Sequence, residues 1–304
     1  MIGAILAGGY GKRLKPHTDK VPKGLLELKP GYTILHKQLD DFFSAGIKRV
    51  VLLTGYLSDK IEETFGNEYH GISIEYQREK KPLGKLFSMR NLISVCHDDV
   101  VVRNGDTVCD IDIGKMARSA RESECLISVF VTRMRSPFGV VDLDSDRITG
   151  FREKPVLDVF INAGIYYIKK ESFPLFLEEY DSTEVETSVF PTLAGRRLML
   201  AYLEEGQWIG IDSEKELEAA RNEFQQREEF EWGYRKLISG VDRKWKYRIN
   251  SGKAIEVPFE SALNVLQGRL IAYDRTLEAG MHFNARKGAI LKAADVTAFY
   301  LSEK

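Results

Sequence analysis

Hydrophobic residues in the first hundred positions alternate between strand-length runs and helical spacing. Residues 2–6 form an apolar run that starts almost at the first position. Ile34, Leu35, Leu39, Phe42 and Phe43 then recur at helical spacing, and Gly46 closes that helix. Residues 49–54 form a continuous apolar run of the kind a parallel sheet buries on both faces. A short helix at 59–65, a strand at 73–76, a helix at 85–95 and a strand at 100–103 continue the pattern. This alternation predicts an α/β fold with a Rossmann-like, doubly wound sheet. Ligands then bind beyond the carboxyl ends of its strands.

Farther along, the texture changes twice. Residues 126–132, 139–142, 148–152 and 163–168 read as four strands with less helix between them, an insertion over one side of the site. A helix over 214–229 closes the first domain, and its charge-rich end marks a boundary. Beyond it, short strands at 246–249, 254–257, 263–266, 269–273 and 297–301 are separated by Gly or Pro turns. They predict a small all-β sandwich or barrel, and so two domains, 1–229 and 230–304.

Composition narrows the class. A chain of 304 residues suffices for one large domain and a smaller one. The net charge of −1, with both signs mixed throughout, leaves no basic stripe suited to nucleic acid. No apolar run exceeds strand length, so neither a signal peptide nor a membrane span is expected. Cys96, Cys109 and Cys125 lack metal-type spacing and read as buried thiols of a cytoplasmic protein.

Candidate chemistry begins right after the first strand. The run Leu6, Ala7, Gly8, Gly9, Tyr10, Gly11 lets backbone N–H groups approach a polyphosphate without Cβ collisions. Arg13 and the Pro22-Lys23 pair add positive charge where phosphoryl or nucleotidyl transfer accumulates negative charge. At Asn104-Gly105-Asp106 a strand delivers a carboxylate to the carboxyl edge of the sheet, suited to Mg²⁺ on a triphosphate. Asp212, after the apolar stretch at 208–211, is either a second ligand or a helix N-cap, a role for which Ser213 competes. Glu153-Lys154-Pro155, with Asn162 and Gly164, could hold a sugar hydroxyl and its phosphate. Alone, the tripeptide would read as a solvated ion pair at a turn.

Taken together, the motifs are recognisable. Gly8-Gly9-x-Gly11-x-Arg13-Leu14-x-Pro16, Pro22-Lys23, Thr54-Gly55-Tyr56, Pro82-Leu83-Gly84, Asn104-Gly105-Asp106, Glu153-Lys154-Pro155, Asn162-Ala163-Gly164-Ile165-Tyr166 and Trp208 occur in one order. The series resembles the sugar-1-phosphate nucleotidylyltransferases, the NDP-sugar pyrophosphorylases, over roughly residues 1–224. The resemblance implies a mixed sheet of the nucleotide-diphospho-sugar transferase type. It also implies the reaction of a nucleoside triphosphate with a sugar 1-phosphate to give an NDP-sugar and pyrophosphate, with Mg²⁺ required. Carried over by position, the Gly8–Gly11 loop and Arg13 would hold the triphosphate, with Arg13 assisting pyrophosphate departure, and Leu6 and Ala7 would join in binding the nucleotide. Lys23 would contact the phosphates near the reacting α-phosphorus, and Asp106 would hold Mg²⁺. Pro82 and Gly84 would border the nucleobase. Lys154 would bind the sugar phosphate, and Glu153, Asn162 and Gly139 the sugar.

The match has departures. Where the family carries small residues beside the base, this chain has Lys85-Leu86-Phe87-Ser88, and Phe87 could stack on the base or block its pocket. The closing Trp-x-Asp-Ile-Gly-Thr pattern reads Trp208-Ile209-Gly210-Ile211-Asp212-Ser213, with the acid two positions later. Glu79 leans towards GTP, because a carboxylate accepts both N1–H and N2–H of guanine. Otherwise Glu79 is an exposed member of a charged run. With GTP, the sugar would be mannose or a heptose 1-phosphate. Thymidylyl, uridylyl or cytidylyl transfer to glucose 1-phosphate is the alternative chemistry. A catalytically weak, nucleotide-sugar-binding regulatory paralogue is the alternative of another class. Residues 231–236 resemble the entry to a cupin domain fused to some mannose-1-phosphate guanylyltransferases. His282 stands there without a metal-binding partner, so no second active site is expected, and the domain would serve homo-oligomer contacts or regulation.

Overall fold

The computed structural model describes residues 1–81, 84–204, 206–231, 233–239, 244–295 and 297–303. Pro82 and Leu83, named above, and Trp232, in the 231–236 stretch, lie outside them. The chain opens with β1 (Ile2–Ala7), then a glycine loop and 3₁₀ turns at Lys12–Leu14, His17–Asp19 and Lys23–Leu25. A hairpin of β2 (Glu27–Lys29) and β3 (Tyr32–Thr33) leads into α1 (Ile34–Ser44), capped by the Thr33 side chain. β4 (Arg49–Thr54), α2 (Ser58–Phe65), β5 (Glu68–Tyr69), β6 (Ile72–Arg78), α3 (Lys85–Val95) and β7 (Val100–Asn104) follow. Next come β8 (Thr107–Cys109), α4 (Ile113–Glu122) and β9 (Ile127–Arg135). A separate hairpin of β10 (Val140–Asp144) and β11 (Arg147–Arg152) precedes the long β12 (Val156–Ile168). Short helices α5 (Phe173–Phe176) and α6 (Val189–Gly195), β13 (Met199–Leu203), β14 (Trp208–Gly210) and α7 (Glu214–Gln225) complete this unit.

Eight strands form one sheet in the order β13-β9-β12-β7-β1-β4-β6-β5. β1 pairs in parallel with β4 and β7, so their carboxyl ends lie side by side. β12 runs antiparallel between β7 and β9, which makes the sheet mixed. The continuous apolar runs are buried on both faces, as their lack of alternation predicts. Ile5, Val50 and Leu52 pack with α1 residues Leu39 and Phe42, whereas Ala4, Val51 and Leu53 pack with Leu86 and Met89 of α3. Each such buried side chain contributes about 1.5–3 kcal/mol.

Several elements differ from the sequence reading. α4 buries Ile113, Met116, Ala117 and Ala120 at helical spacing, but with only two large apolar residues the signal is thin. The strand expected at 163–168 begins at Val156, in a stretch whose residues are mostly exposed. The helix expected to reach Glu229 ends at Gln225. Arg227–Phe230 is instead the edge strand β15 of the second unit, so the division drawn at 229/230 cuts through this strand. Cys96 and Cys109 are buried, but Cys125 is only half-buried.

The second unit contains β15, β16 (Gly233–Ser239), β17 (Lys244–Ile249), β18 (Ala254–Glu256), β19 (Ser261–Gln267), β20 (Arg269–Ala272), β21 (Arg275–Glu278), β22 (His282–Ala285), β23 (Ile290–Ala293) and β24 (Thr297–Glu303). Six strands, β15-β16-β17-β24-β19-β22, and four, β18-β23-β20-β21, make two antiparallel sheets. Their shared core includes Tyr247, Leu263, Val265, Leu270, Leu291 and Phe299. Among the described residues, no helix is long and apolar enough to cross a membrane.

A buried ionic cluster joins the two units. The Asp110 carboxylate accepts from Arg227 Nη1 and Nη2 at 3.0 and 3.2 Å, and from the Tyr234 hydroxyl at 2.7 Å. Burial would push the Asp110 carboxyl up, but Arg227, aided by Arg248, Lys37 and Lys246, holds it well below the usual carboxylate range. A depressed folded-state value gives stability present in full above the unfolded value of about 3.9, and lost as pH falls through the folded one. Asp110→Asn should cost about 3–5 kcal/mol at neutral pH, because it strips a buried guanidinium of its main partner. The gap to wild type should narrow as pH drops below about 4, since the wild type alone must then protonate this carboxylate. Denaturant titrations at neutral and acidic pH measure both; a gap that stays constant contradicts the assignment.

Candidate active site

The loops that leave β1, β4 and β7 touch one another through backbone, and glycine makes this possible. The Gly105 N–H donates to Leu6 O at 3.0 Å, and a Cβ on Gly105 would lie 2.6 Å from that oxygen. A Cβ on Gly55 would lie 2.9 Å from Gly8 O. Gly11 has φ +61 and turns the chain into the first 3₁₀ segment, where the Thr18 hydroxyl donates to its carbonyl at 2.8 Å. The floor of the resulting cleft is therefore largely main chain.

This cleft has a volume of about 310 Å³ and is lined by Leu6, Ala7, Gly8, Gly9, Lys23, Glu79, Gly84 and Asp106 among the residues singled out above. Lys23 Nζ lies 2.9 Å from Asp106 Oδ2 and 2.9 Å from Asp212 Oδ1. Arg13, 76% exposed, reaches the same Asp212 oxygen at 3.3 Å. The competition over the helix cap falls to Ser213, the N-cap of α7, while Glu216 accepts from the N–H groups of both Asp212 and Ser213. Asp212 thus keeps its carboxylate for the cations. Partial burial would raise its pKa, but the hydrogen bond and charge of Lys23, with Arg13, bring it below the ordinary value.

The donor set suits Mg²⁺. Two carboxylates converge on one point, now neutralised by an ammonium, and Mg²⁺ commonly takes one or two protein carboxylates plus phosphate oxygens and water. No group of three or more His, Cys, Asp or Glu residues gathers among the described residues, so further ligands would come from substrate and solvent.

Glu79 is half-buried in the cleft, its backbone N–H donates to Thr54 O at 2.8 Å, and its carboxylate accepts from Ser88 Oγ. It is fixed there rather than loose in a charged run. Phe87 is exposed and is not among the lining residues; Lys85 and Ser88 line the cleft instead. Glu184 also lines the cleft and was not singled out by the sequence, while Lys85, Ser88 and Asn104 were named within motifs without a role of their own. Helical spacing within 85–95 would have placed Lys85 and Ser88 on one side of α3, but not told which side faced a ligand.

The residues expected on the sugar side lie outside this lining. Asn162 donates from Nδ2 to the Tyr166 hydroxyl at 2.9 Å and accepts from the Gly164 N–H at 2.9 Å. Gly164, at φ +77, leaves room for Asn104, whose Nδ2 would be 2.6 Å from a Cβ there. Glu153 and Lys154 pair at 3.4 Å on an exposed turn with Lys154 at φ +45. Gly139 lies against Phe151 and Glu153, and a Cβ there would collide with the Phe151 ring at 2.6 Å.

A family model described as nucleotidyl transferase matches residues 2–227. The chain belongs to the nucleotidyl transferase family. A mannose-1-phosphate guanyltransferase of Yarrowia lipolytica is 32% identical over 227 residues, covering 71% of this chain and 62% of that protein. The mannose-1-phosphate guanylyltransferase catalytic subunit beta of Danio rerio is 33% identical over 229 residues, with the same shares of each chain. The match thus spans 62% of the length of these relatives. HddC from Yersinia pseudotuberculosis shares the fold at a TM-score of 0.58, with 24% identity, over 73% of this chain and 99% of that one. A UDP-glucose pyrophosphorylase complexed with UDP-glucose does so at 0.59, with 19% identity, over 74% and 98%.

In this nucleotidyl transferase one backbone position is especially exacting. Gly84, at φ +92, is the N-cap of α3, and a Cβ there would stand 2.5 Å from Thr183 O. Gly84→Ala should cost about 1–3 kcal/mol and weaken nucleotide binding by moving Glu79's partner Ser88. Thermal melting and titration with a fluorescent nucleotide measure the two effects; wild-type values in both would contradict it.

Proposed function

We propose that the protein transfers the guanylyl group of GTP to a sugar 1-phosphate, mannose 1-phosphate first, releasing pyrophosphate in a Mg²⁺-dependent reaction. The observation that carries this reading is the convergence of Lys23, Asp106 and Asp212 beside a backbone-lined cleft at the carboxyl ends of β1 and β7. The guanylyltransferase names of the relatives support the choice of base and sugar.

The attacking atom is a phosphate oxygen of the sugar 1-phosphate. With a second pKa of about 6, that phosphate is mostly dianionic at neutral pH, so no general base is required. Catalysis then consists of positioning two anions and neutralising the charge that builds up between them. N–H groups of the Gly8–Gly11 stretch hold the triphosphate, and Arg13 neutralises the departing pyrophosphate. Lys23 faces the α-phosphate. Asp106 and Asp212 would hold Mg²⁺, which supplies charge neutralisation on the phosphates when bound. Glu79, steadied by Ser88, accepts N1–H and N2–H of guanine. Lys154 takes the sugar phosphate, with Asn162, Glu153 and Gly139 on the sugar. The free thiols suit a reducing compartment, and we place the enzyme in the cytoplasm.

Pyrophosphate release, measured with Mg²⁺, a panel of nucleoside triphosphates and several sugar 1-phosphates, tests the reading. GTP with mannose 1-phosphate should be the fastest pair. No release with any pair, alongside measurable nucleotide-sugar binding, would favour the regulatory paralogue instead.

Two substitutions test the assigned roles in the same assay. Asp106→Ala or Arg13→Ala should lower turnover by about a hundredfold or more with the fold intact by circular dichroism. Near-normal turnover in both would refute those roles. Glu79→Gln should reduce the preference for GTP over ATP by about tenfold or more, because an amide N–H₂ then meets a donor edge; an unchanged ratio would remove Glu79 from base selection.

A further inference from the structure

The two carboxylates that converge on Lys23 sit at one end of a very short ribbon. β8 and β14 pair antiparallel over three residues each, Thr107 with Gly210, Val108 with Ile209 and Cys109 with Trp208. Asp106 immediately precedes β8, and Asp212 follows β14 by one residue, with the Ile211 N–H donating to Asp106 O at 2.8 Å. An isolated two-stranded ribbon of this length has little stability of its own. Where its two carboxylates stand therefore depends on what holds its ends.

The far end is held from the other unit. The Asp110 N–H donates to Gln207 O at 2.8 Å, continuing the ladder by one rung. Its side chain is gripped by Arg227 in a bidentate pair and by the Tyr234 hydroxyl, both from the strands that begin the C-terminal unit. Arg227 is itself immobilised. Its guanidinium lies 4.5 Å from the Phe224 ring centre and 4.1 Å from that of Tyr234, and it also donates to Glu223 at 2.9 Å. Four residues of extended chain span roughly 13 Å, so Asp110 does not touch the reacting groups.

Burial of such a pair contributes little net stability compared with apolar residues of the same volume. What it does supply is a fixed direction and register. A tail free to twist would turn Asp106 relative to Asp212, since only three rungs separate them from the anchor.

We propose that Asp110 is a positioning residue for the metal-binding carboxylates, and that the C-terminal unit sets their geometry through Arg227 and Tyr234. This rests on Asp106 and Asp212 being the Mg²⁺ ligands. The C-terminal unit then tunes the active site from a distance without contributing a residue to it.

The test uses the full chain and Mn²⁺ as a spectroscopic probe, titrated by electron paramagnetic resonance with and without GTP. Tyr234→Phe removes one hydrogen bond to Asp110 and no volume from the core. Asp110→Asn removes the charge, and if it fails to fold, Tyr234→Phe decides alone. Gln267→Met is the control, because Gln267 lies in the same interface but donates to Glu204, which accepts from the Asp112 N–H beyond the ribbon rather than holding Asp110.

Tyr234→Phe should weaken Mn²⁺ binding by about three- to tenfold, Asp110→Asn by more, and Gln267→Met not at all even where its melting temperature falls. The Mg²⁺ concentration for half-maximal pyrophosphate release should rise in step, while KM for mannose 1-phosphate stays unchanged. Wild-type Mn²⁺ affinity in Tyr234→Phe, or equal weakening in Tyr234→Phe and Gln267→Met, would overturn the proposal. A wild type that binds Mn²⁺ yet releases no pyrophosphate would sink the transferase reading, while the Mn²⁺ comparison still decides this one. No Mn²⁺ binding by the wild type overturns it as well.

Discussion

Lys23 between Asp106 and Asp212 is the contact on which the site's organisation depends, because it joins segments that are 83 and 189 residues away from it in sequence. Each partner is delivered by a different device. The 3₁₀ turn at Lys23–Leu25 sets the ammonium, the carboxyl end of β7 leads to one carboxylate, and the β8–β14 ladder brings the other beside it. Without a counter-ion, two carboxylates converging on one point would repel, so the lysine also keeps the two carboxylates together. The site is thereby preorganised, and the proposed Mg²⁺ would require little rearrangement of it.

Around that contact, the cleft is built from main chain wherever phosphate would lie and from side chains wherever a base would lie. Gly8, Gly55 and Gly105 bring three loops into backbone contact, where an added Cβ on Gly55 or Gly105 would collide with main chain. Glu79, Lys85 and Ser88 supply the side-chain wall. Lys85 is held by an ion pair with Glu186, and Ser88 holds Glu79. The stretch Lys85-Leu86-Phe87-Ser88, which departs from the family's pattern, is therefore an integrated part of this wall, and its bulky Phe87 is turned outward.

The parallel half of the sheet was legible because its strands are buried on both faces and read as unbroken apolar runs. Residues 49–54 matched β4 to the residue. The glycine loop and Lys23 were legible for a different reason: glycine density and cations at fixed spacing are local properties. Asp212 stayed ambiguous, since a carboxylate ahead of a helix serves as cap or ligand equally well, and only the Ser213–Glu216 arrangement separates the two. The anchor at Asp110 was invisible. Its partners Arg227 and Tyr234 are more than a hundred residues away, and the helical pattern that carried 214–229 past Gln225 hid the strand containing Arg227.

Among the described residues no histidine lines the cleft, which agrees with the proposed reaction. Acyl or hydroxyl nucleophiles need a base because their proton must leave as the bond forms. In the proposed reaction the sugar phosphate would arrive already deprotonated, and the leaving pyrophosphate is a weak base, so proton transfer would have little to accelerate. The barrier to such a reaction would lie in the approach of one anion to another, which fixed positive charge lowers. On the proposed assignment, Arg13, Lys23 and a divalent ion on Asp106 and Asp212 would supply it. If the ribbon and its distant anchor hold their mutual spacing as proposed, that spacing would matter more to the rate than the pKa of any single side chain.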